Sequence, residues 1–478
     1  MAKHLHVVVL PWSAFGHLMP LFQLSIALAK YGVQVSFIST PKNFRRLPKP
    51  PSHLSSLLNF VEFPLPILDN YELLPEGAEA TVDIPSDKIQ YLKIAFDLLQ
   101  HPFKQFVADQ SPDWIISDVL SYWAGMIALE YEIPLMLFSV FSASAVSFLW
   151  HPDSLVGDGK KIMRSSAESL TSVPEWVDFS SLLAYRMSEA IDMYSGFYGC
   201  NASGITDAQR TAEILRACQA VVIRSCPEYE GESLNLLDKI IGKPVMPVGL
   251  LPPDSAKGRD QITDDGSWSK IFQWLDEQKD RSVVFVGFGS ECKLTKDQVY
   301  EIAYGLELSE LPFLWALRKP EWAVNDADTL PLGFEDRSRG KGVVCMGWVP
   351  QLEILSHSSI GGSIFHAGWG SVIETLQFGH CLIVLPFIID QPLNARVLVE
   401  KGLAVEVERK EDGCFTKEAI AKALRLAMVS EKGEHLRIRA REASIIFGDM
   451  KLHEEYLAKF VGYLEANVKK KASKFNHS

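Results

Sequence analysis

Residues 348–391 read WVPQLEILSHSSIGGSIFHAGWGSVIETLQFGHCLIVLPFIIDQ, and the placing of small, apolar and charged residues there decides the fold. His366 precedes a Gly-Trp-Gly-Ser turn, Gly368 to Ser371, and an apolar segment from Val372 to Phe378 follows and stops at Gly379. Ser371 with Glu374 three residues on has the pattern of a capping box, so a helix is expected to begin at Ser371. Glycines ahead of a helix let a ligand reach bare backbone. The free N–H groups and the positive end of the dipole then favour an anion, most simply a phosphate. Beyond Gly379, CLIVLPF reads as a short buried strand that delivers Asp390 and Gln391 to a crevice at its carboxyl end.

Outward from this block the same alternation recurs. Toward the N-terminus lie expected strands at 282–286, 313–317 and 342–346, with helices near 267–277 and 296–308. Before them, residues 243–266 (KPVMPVGLLPPDSAKGRDQITDDG) are dense in Pro, Gly and Asp and read as a linker. The first half opens with an apolar strand at 5–10, a loop at 11–19, a helix starting at Pro20, and a strand at 33–39. This is a βαβ unit and therefore a parallel sheet. Further strands are expected at 114–117, 135–139 and 220–225, with helices at 91–109 and 123–131. Helices at 417–428 and 453–468 close the chain. The reading is an α/β protein: an N-terminal domain over 1–242, a linker over 243–266, a C-terminal domain over 267–452, and a last helix in 453–478.

Composition narrows the function. The 478 residues exceed what one core holds. Lys and Arg number 47 against 59 Asp and Glu, a net charge of −12, which argues against a nucleic-acid surface. Seven cysteines without CxxC spacing, and no secretory segment, point to free thiols and a cytoplasmic protein. The apolar region 135–150 is interrupted by serines, so no stable membrane insertion is expected, and the lysines at 469–471 read as a solvated tail. His357, His366 and His380 are too scattered for a metal site. Gly287-Phe288-Gly289 lacks the third glycine of a dinucleotide fingerprint, since Cys292 stands there, which weakens a dehydrogenase reading.

Two residues in the first half suggest acid–base chemistry. His17 follows the first strand near a helix N-terminus, whose dipole is expected to keep the imidazole neutral, the state a general base requires. Asp118 ends another strand. If the strands are neighbours, its carboxylate can fix the imidazole tautomer and stabilise the imidazolium.

The 348–391 block resembles, almost position for position, the C-terminal signature of the plant family 1 glycosyltransferases, which use UDP-sugars. FGHLMP and SDVLSYW resemble that family's His–Asp dyad at His17 and Asp118. The resemblance implies the GT-B architecture, two Rossmann-like domains facing across a cleft, with the last helix crossing back to the first domain. It also implies inverting transfer of a hexose, most simply glucose, without metal or cofactor, the UDP-sugar being a co-substrate, and a monomer. Trp348 would stack on uracil, with Val349 and Gln351 at its edge. Glu374 would accept from the ribose hydroxyls. His366, Gly370, Ser371 and, from a second loop, Ser290 would hold the diphosphate through neutral donors. Trp369, Asp390 and Gln391 would hold the sugar.

Ala367 stands where the family usually has Cys, and Gly370 where it has Asn. Gly370, with the wording VVVLPWSAFGHLMP, FIST and DQPLNAR, resembles the branch that adds a sugar to the sugar of an existing glycoside. The acceptor expected is thus a small hydrophobic metabolite, a terpenoid or flavonoid, in glycosylated form. The aromatics Phe15, Trp123 and Phe141 are candidates for lining its pocket, or for core packing. Open alternatives are rhamnose as donor sugar, an aglycone as acceptor, and a catalytically inactive nucleotide-sugar-binding protein.

Overall fold

A computed structural model describes residues 5–68, 73–155, 164–253 and 267–475. Seven parallel strands make the first sheet: β1 (His6–Leu10), β2 (Gln34–Ser39), β3 (Leu58–Glu62), β4 (Trp114–Ser117), β5 (Leu135–Ser139), β6 (Ala220–Ile223) and β7 (Val245–Pro247), ordered β3-β2-β1-β4-β5-β6-β7. Six parallel strands make the second: β8 (Val283–Gly287), β9 (Phe313–Leu317), β10 (Gly342–Met346), β11 (Ile360–Phe365), β12 (Cys381–Val384) and β13 (Ala404–Glu406), ordered β10-β9-β8-β11-β12-β13. Helices cover both faces of such sheets, which is why β1, β4, β5 and β12 are mainly apolar and buried along their whole length. In each sheet the strand order reverses once, between β1 and β4 and between β8 and β11, and such switch points open the crevices where ligands bind.

Four helices matter to the site: α1 (Phe15–Lys30), α2 (Trp369–Leu376), α3 (Gln391–Glu400) and α4 (Met450–Phe475). The last lays Leu457, Phe460, Val461 and Leu464 onto the first sheet's core, beside Leu21, Leu24 and Trp114. Each such side chain contributes about 1.5–3 kcal/mol when fully buried. The Trp114 indole N–H donates to the Leu464 carbonyl at 3.2 Å, and Tyr31 OH to that of Glu454 at 3.1 Å. Near the start of α4, His453 meets the end of the first half. Gly249 has φ +76°, and a Cβ there would lie 2.9 Å from His453 Cα. The next N–H, of Leu250, donates to His453 Nδ1 at 3.2 Å.

Several expectations need correction. Within the stretch read as linker, Val245–Pro247 is a strand, paired with β6. It is a sheet edge, where proline costs no ladder hydrogen bond; residues 254–266 lie outside the described residues. Helix α1 starts at Phe15, so His17 lies in its first turn rather than in a loop, and Pro20 is inside the helix. The missing proline N–H leaves the carbonyl of exposed Gly16 to water. The single helix expected at 91–109 is two, Ile89–Asp97 and Gln100–Gln110. No helix among the described residues is long and apolar enough to cross a membrane. The side chains of 469–471 lie outside those described.

Candidate functional site

β1 and β4 are hydrogen-bonded neighbours, with Leu10 opposite Ser117. The chain leaves both strands at the same edge, which brings His17 and Asp118 together. His17 Nδ1–H donates to Asp118 Oδ2 at 2.8 Å. Asp118 is fully buried and held from behind: Oδ2 also accepts the Trp12 N–H at 3.0 Å, and Oδ1 that of Val119 at 2.6 Å. The imidazole is thereby locked with Nε2 free. Phe141 stands edge-on to it at 5.6 Å. Burial pulls the His17 pKa down, but the charge and hydrogen bond of Asp118, with smaller contributions from Glu291 and Asp390, overcome it, and the pKa rises above 6.5. The shift runs opposite to the lowering expected from the helix dipole, because the Asp118 carboxylate makes His17 a stronger base.

Across the cleft, β11 runs into α2. Ala367 takes a left-handed conformation (φ 62°), and Gly368 is the N-cap. The helix therefore begins at Trp369, two residues before the expected Ser371, and the Ser371–Glu374 capping box does not form. Glu374 is engaged instead by Gln351, whose Nε2 donates to Oε2 at 2.7 Å. Burial raises the Glu374 pKa, while Arg224 and the Gln351 hydrogen bond oppose the rise.

His366 is wedged between two glycines. Cβ atoms built at Gly368 and Gly289 would lie 2.5 Å and 2.8 Å from its ring. Burial depresses its pKa to about 4, so it is neutral, and its Nδ1 has no partner among the described residues. Gly289 (φ +69°) belongs to the loop after β8 and places half-buried Ser290 beside this turn. Gly370 and Ser371 complete the N-terminal turn of α2. Its N–H groups, the His366 ring and the Ser371 hydroxyl form a cradle suited to phosphate.

Trp348 is 72% exposed and meets Trp268 edge-on at 6.1 Å. A large aromatic left this open has a face available for a base. Val349 beside it is buried. At the far end of the cradle, Asp390 and Gln391 are both buried. Burial raises the Asp390 pKa to about 6, against the Asn394 hydrogen bond from Nδ2 to Oδ2 at 2.8 Å. Gln391 Oε1 already accepts the N–H groups of Phe387 and Ile388, each at 3.0 Å. Only its NH2 group is left to a ligand, so it can donate to a sugar hydroxyl but its oxygen is committed.

One candidate is placed otherwise than expected. The Trp369 indole is buried, stacks on Tyr229 at 5.7 Å and donates from Nε1 to the Arg224 carbonyl at 2.8 Å, so its ring packs the two halves together rather than facing a sugar. Trp123 packs on Phe96 and Phe103 in the core, whereas Phe141 borders His17. Phe15 lies under the Arg46 guanidinium.

Sequence reasoning passed over four contributors. Glu291 accepts the Phe15 N–H, Asn394 Oδ1 accepts from Ser142 Oγ at 2.7 Å, Tyr185 OH donates to the Ile389 carbonyl at 2.8 Å, and Arg224 lies beside Gly370. Arg224 alone left a signal: a charge directly after the apolar strand AVVI, where Asp118 stands after WIIS.

The sequence model described as UDP-glucoronosyl and UDP-glucosyl transferase matches residues 262–437. UDP-glycosyltransferase 91A1 of Arabidopsis thaliana is 41% identical, over 97% of each chain. The chain belongs to this plant UDP-glycosyltransferase family. Soyasaponin III rhamnosyltransferase of Glycine max is 40% identical over 97% of this chain and 96% of its own. Among solved structures, UGT73P12 of Glycyrrhiza uralensis, complexed with glycyrrhetinic acid 3-O-monoglucuronide, superposes with a TM-score of 0.80 at 23% identity, over 99% of this chain and 98% of that one. The fold of this UDP-glycosyltransferase is therefore GT-B, its two parallel sheets forming the two Rossmann-like units.

Proposed function

We propose that this UDP-glycosyltransferase moves a hexose, glucose in the first instance, from a UDP-sugar to a hydroxyl on the sugar of a terpenoid or flavonoid glycoside, with inversion. The observation that carries the mechanism is the His17–Asp118 pair at the first sheet's switch point, close enough to Asp390 of the second half for the two to interact. His17 Nε2 takes the acceptor proton as the oxygen bonds to the anomeric carbon. The bond from that carbon to the β-phosphate oxygen breaks, its electron pair leaves with UDP, and an α-linked donor gives a β-linked product. Asp118 holds the tautomer and stabilises the imidazolium. Trp348 and Val349 take the uracil, Gln351 and Glu374 the ribose, Ser290, His366, Gly370 and Ser371 the diphosphate, and Asp390 and Gln391 the sugar.

The glycoside acceptor is supported by the relative named Soyasaponin III rhamnosyltransferase and by the neighbour solved with glycyrrhetinic acid 3-O-monoglucuronide. The first of these also favours a second reading, rhamnose as the sugar transferred. In this proposal residues 1–242 take the acceptor and residues 267–452 the donor, and the enzyme works as a cytoplasmic monomer without metal or cofactor. The test is a mass-spectrometric screen of UDP-glucose and UDP-rhamnose against aglycones and their monoglucosides. Products from the monoglucosides are expected; products from aglycones alone would overturn the acceptor reading.

A further inference from the structure

Arg224 follows β6 in the first half and is 2% exposed. Its guanidinium is tethered on one side only: Nε donates to the Leu250 carbonyl at 2.7 Å and Nη2 to that of Leu251 at 3.1 Å. Nη1 has no hydrogen-bond partner among the described residues. It points at the head of α2, 3.7 Å from where a Cβ on Gly370 would stand, and no other atom lies within 4 Å of that point. The nearby carboxylate that acts on Arg224 is Glu374, one turn further along α2. A guanidinium held mostly out of water gains when a ligand oxygen takes its remaining donor. A guanidinium is the group that meets phosphate oxygens with directed, charge-assisted hydrogen bonds. The same turn carries the free N–H groups of α2, and His366 Nδ1 just ahead of it is unpartnered among the described residues.

We propose that Arg224, presented by the first half of the molecule through the opening left by Gly370, binds the diphosphate of the nucleotide donor held at the N-terminus of α2 in the second half. This rests on the donor-site reading above and changes it in one respect: the diphosphate is met by a full positive charge as well as by neutral donors. A glycine at 370 is what the arrangement needs, because any longer side chain would enter the space between guanidinium and phosphate. The charge that grows on the leaving UDP is then compensated from the acceptor side, so donor binding senses both halves.

The test is calorimetric binding of UDP and of uridine to the wild type, Arg224→Gln and Arg224→Lys, with melting temperatures recorded for each. Arg224→Gln is expected to lose about tenfold or more in UDP affinity while uridine binding stays unchanged. Arg224→Lys keeps a cation that meets phosphate as a point charge and is expected to hold the UDP-to-uridine affinity ratio within about threefold of the wild type, even with a lower melting temperature from the lost carbonyl bonds. A purely structural role would weaken both ligands together in both variants, and that result, or a ratio that collapses in Arg224→Lys, overturns the proposal. Should Arg224→Gln not fold, the lysine ratio alone decides. A wild type that binds neither UDP nor uridine would instead overturn the donor-site reading itself.

Discussion

Glu291 Oε1, in the loop after β8, accepts the backbone N–H of Phe15 at the head of α1, 3.2 Å away across the cleft. A carboxylate at a helix N-terminus contributes about 0.3–1 kcal/mol, and here it joins the two halves one turn from the base. Its charge also helps to raise the His17 pKa. Glu291→Gln is expected to move the acid limb of kcat/KM to lower pH while UDP affinity is retained. A pH–rate profile of the two proteins checks the direction.

The sign of the pH dependence follows from the same shift. His17 must be unprotonated to accept a proton, and its pKa lies above 6.5. kcat/KM should fall as pH drops through that raised value. Asp118→Asn removes the carboxylate and leaves the burial, so the limb should move down, below the ordinary value. The rate should fall about 10²–10⁴-fold, since the tautomer is no longer held and the imidazolium is no longer stabilised.

His17→Ala should remove transfer to a similar degree, about 10²–10⁴-fold, with UDP affinity nearly unchanged. Calorimetry with UDP beside a product assay separates the two effects. Wild-type turnover by this variant would end its assignment as base.

Trp348→Ala should weaken UDP-sugar binding by about 1–3 kcal/mol, the worth of one base stacked on an aromatic ring. The side chain is 72% exposed, so the melting temperature should hardly move. A rise in KM with an unchanged melting curve is the expected pattern.

Glu374→Gln tests the pair that Gln351 makes with it at 2.7 Å. Hydrogen bonds to a charged acceptor are worth about 1.5–3 kcal/mol, so UDP affinity should fall about 10–100-fold. Binding of UDP against the 2′,3′-dideoxy nucleotide should lose its difference in the variant.

The strand ends carried most of what the chain alone disclosed. Asp118 stands where one apolar strand stops and His17 in the helix turn that follows its neighbour, and a parallel sheet sends both to one edge. The capping box was misread because glycine can itself cap a helix, and because Gln351, distant in sequence from Glu374, takes its carboxylate. Val245–Pro247 hid among prolines that an edge strand tolerates. Trp369 looked like a sugar platform, but its partner, the Arg224 carbonyl, comes from the other half. Glu291 with Phe15, Asn394 with Ser142 and Tyr185 with Ile389 join residues far apart in sequence, which local patterns do not record.

Gly249 and His453 touch where the polypeptide departs from the first half and where it comes back. Two covalent crossings side by side act as a swivel: they permit rotation about the line through them, while twisting or sliding would shear both. The halves should therefore open like a book, with this contact at the spine. Gly249→Ala would drive a methyl into the spine at a backbone angle that alanine resists, so the variant should spread the covers, read as a larger radius of gyration in solution scattering that UDP no longer fully reverses.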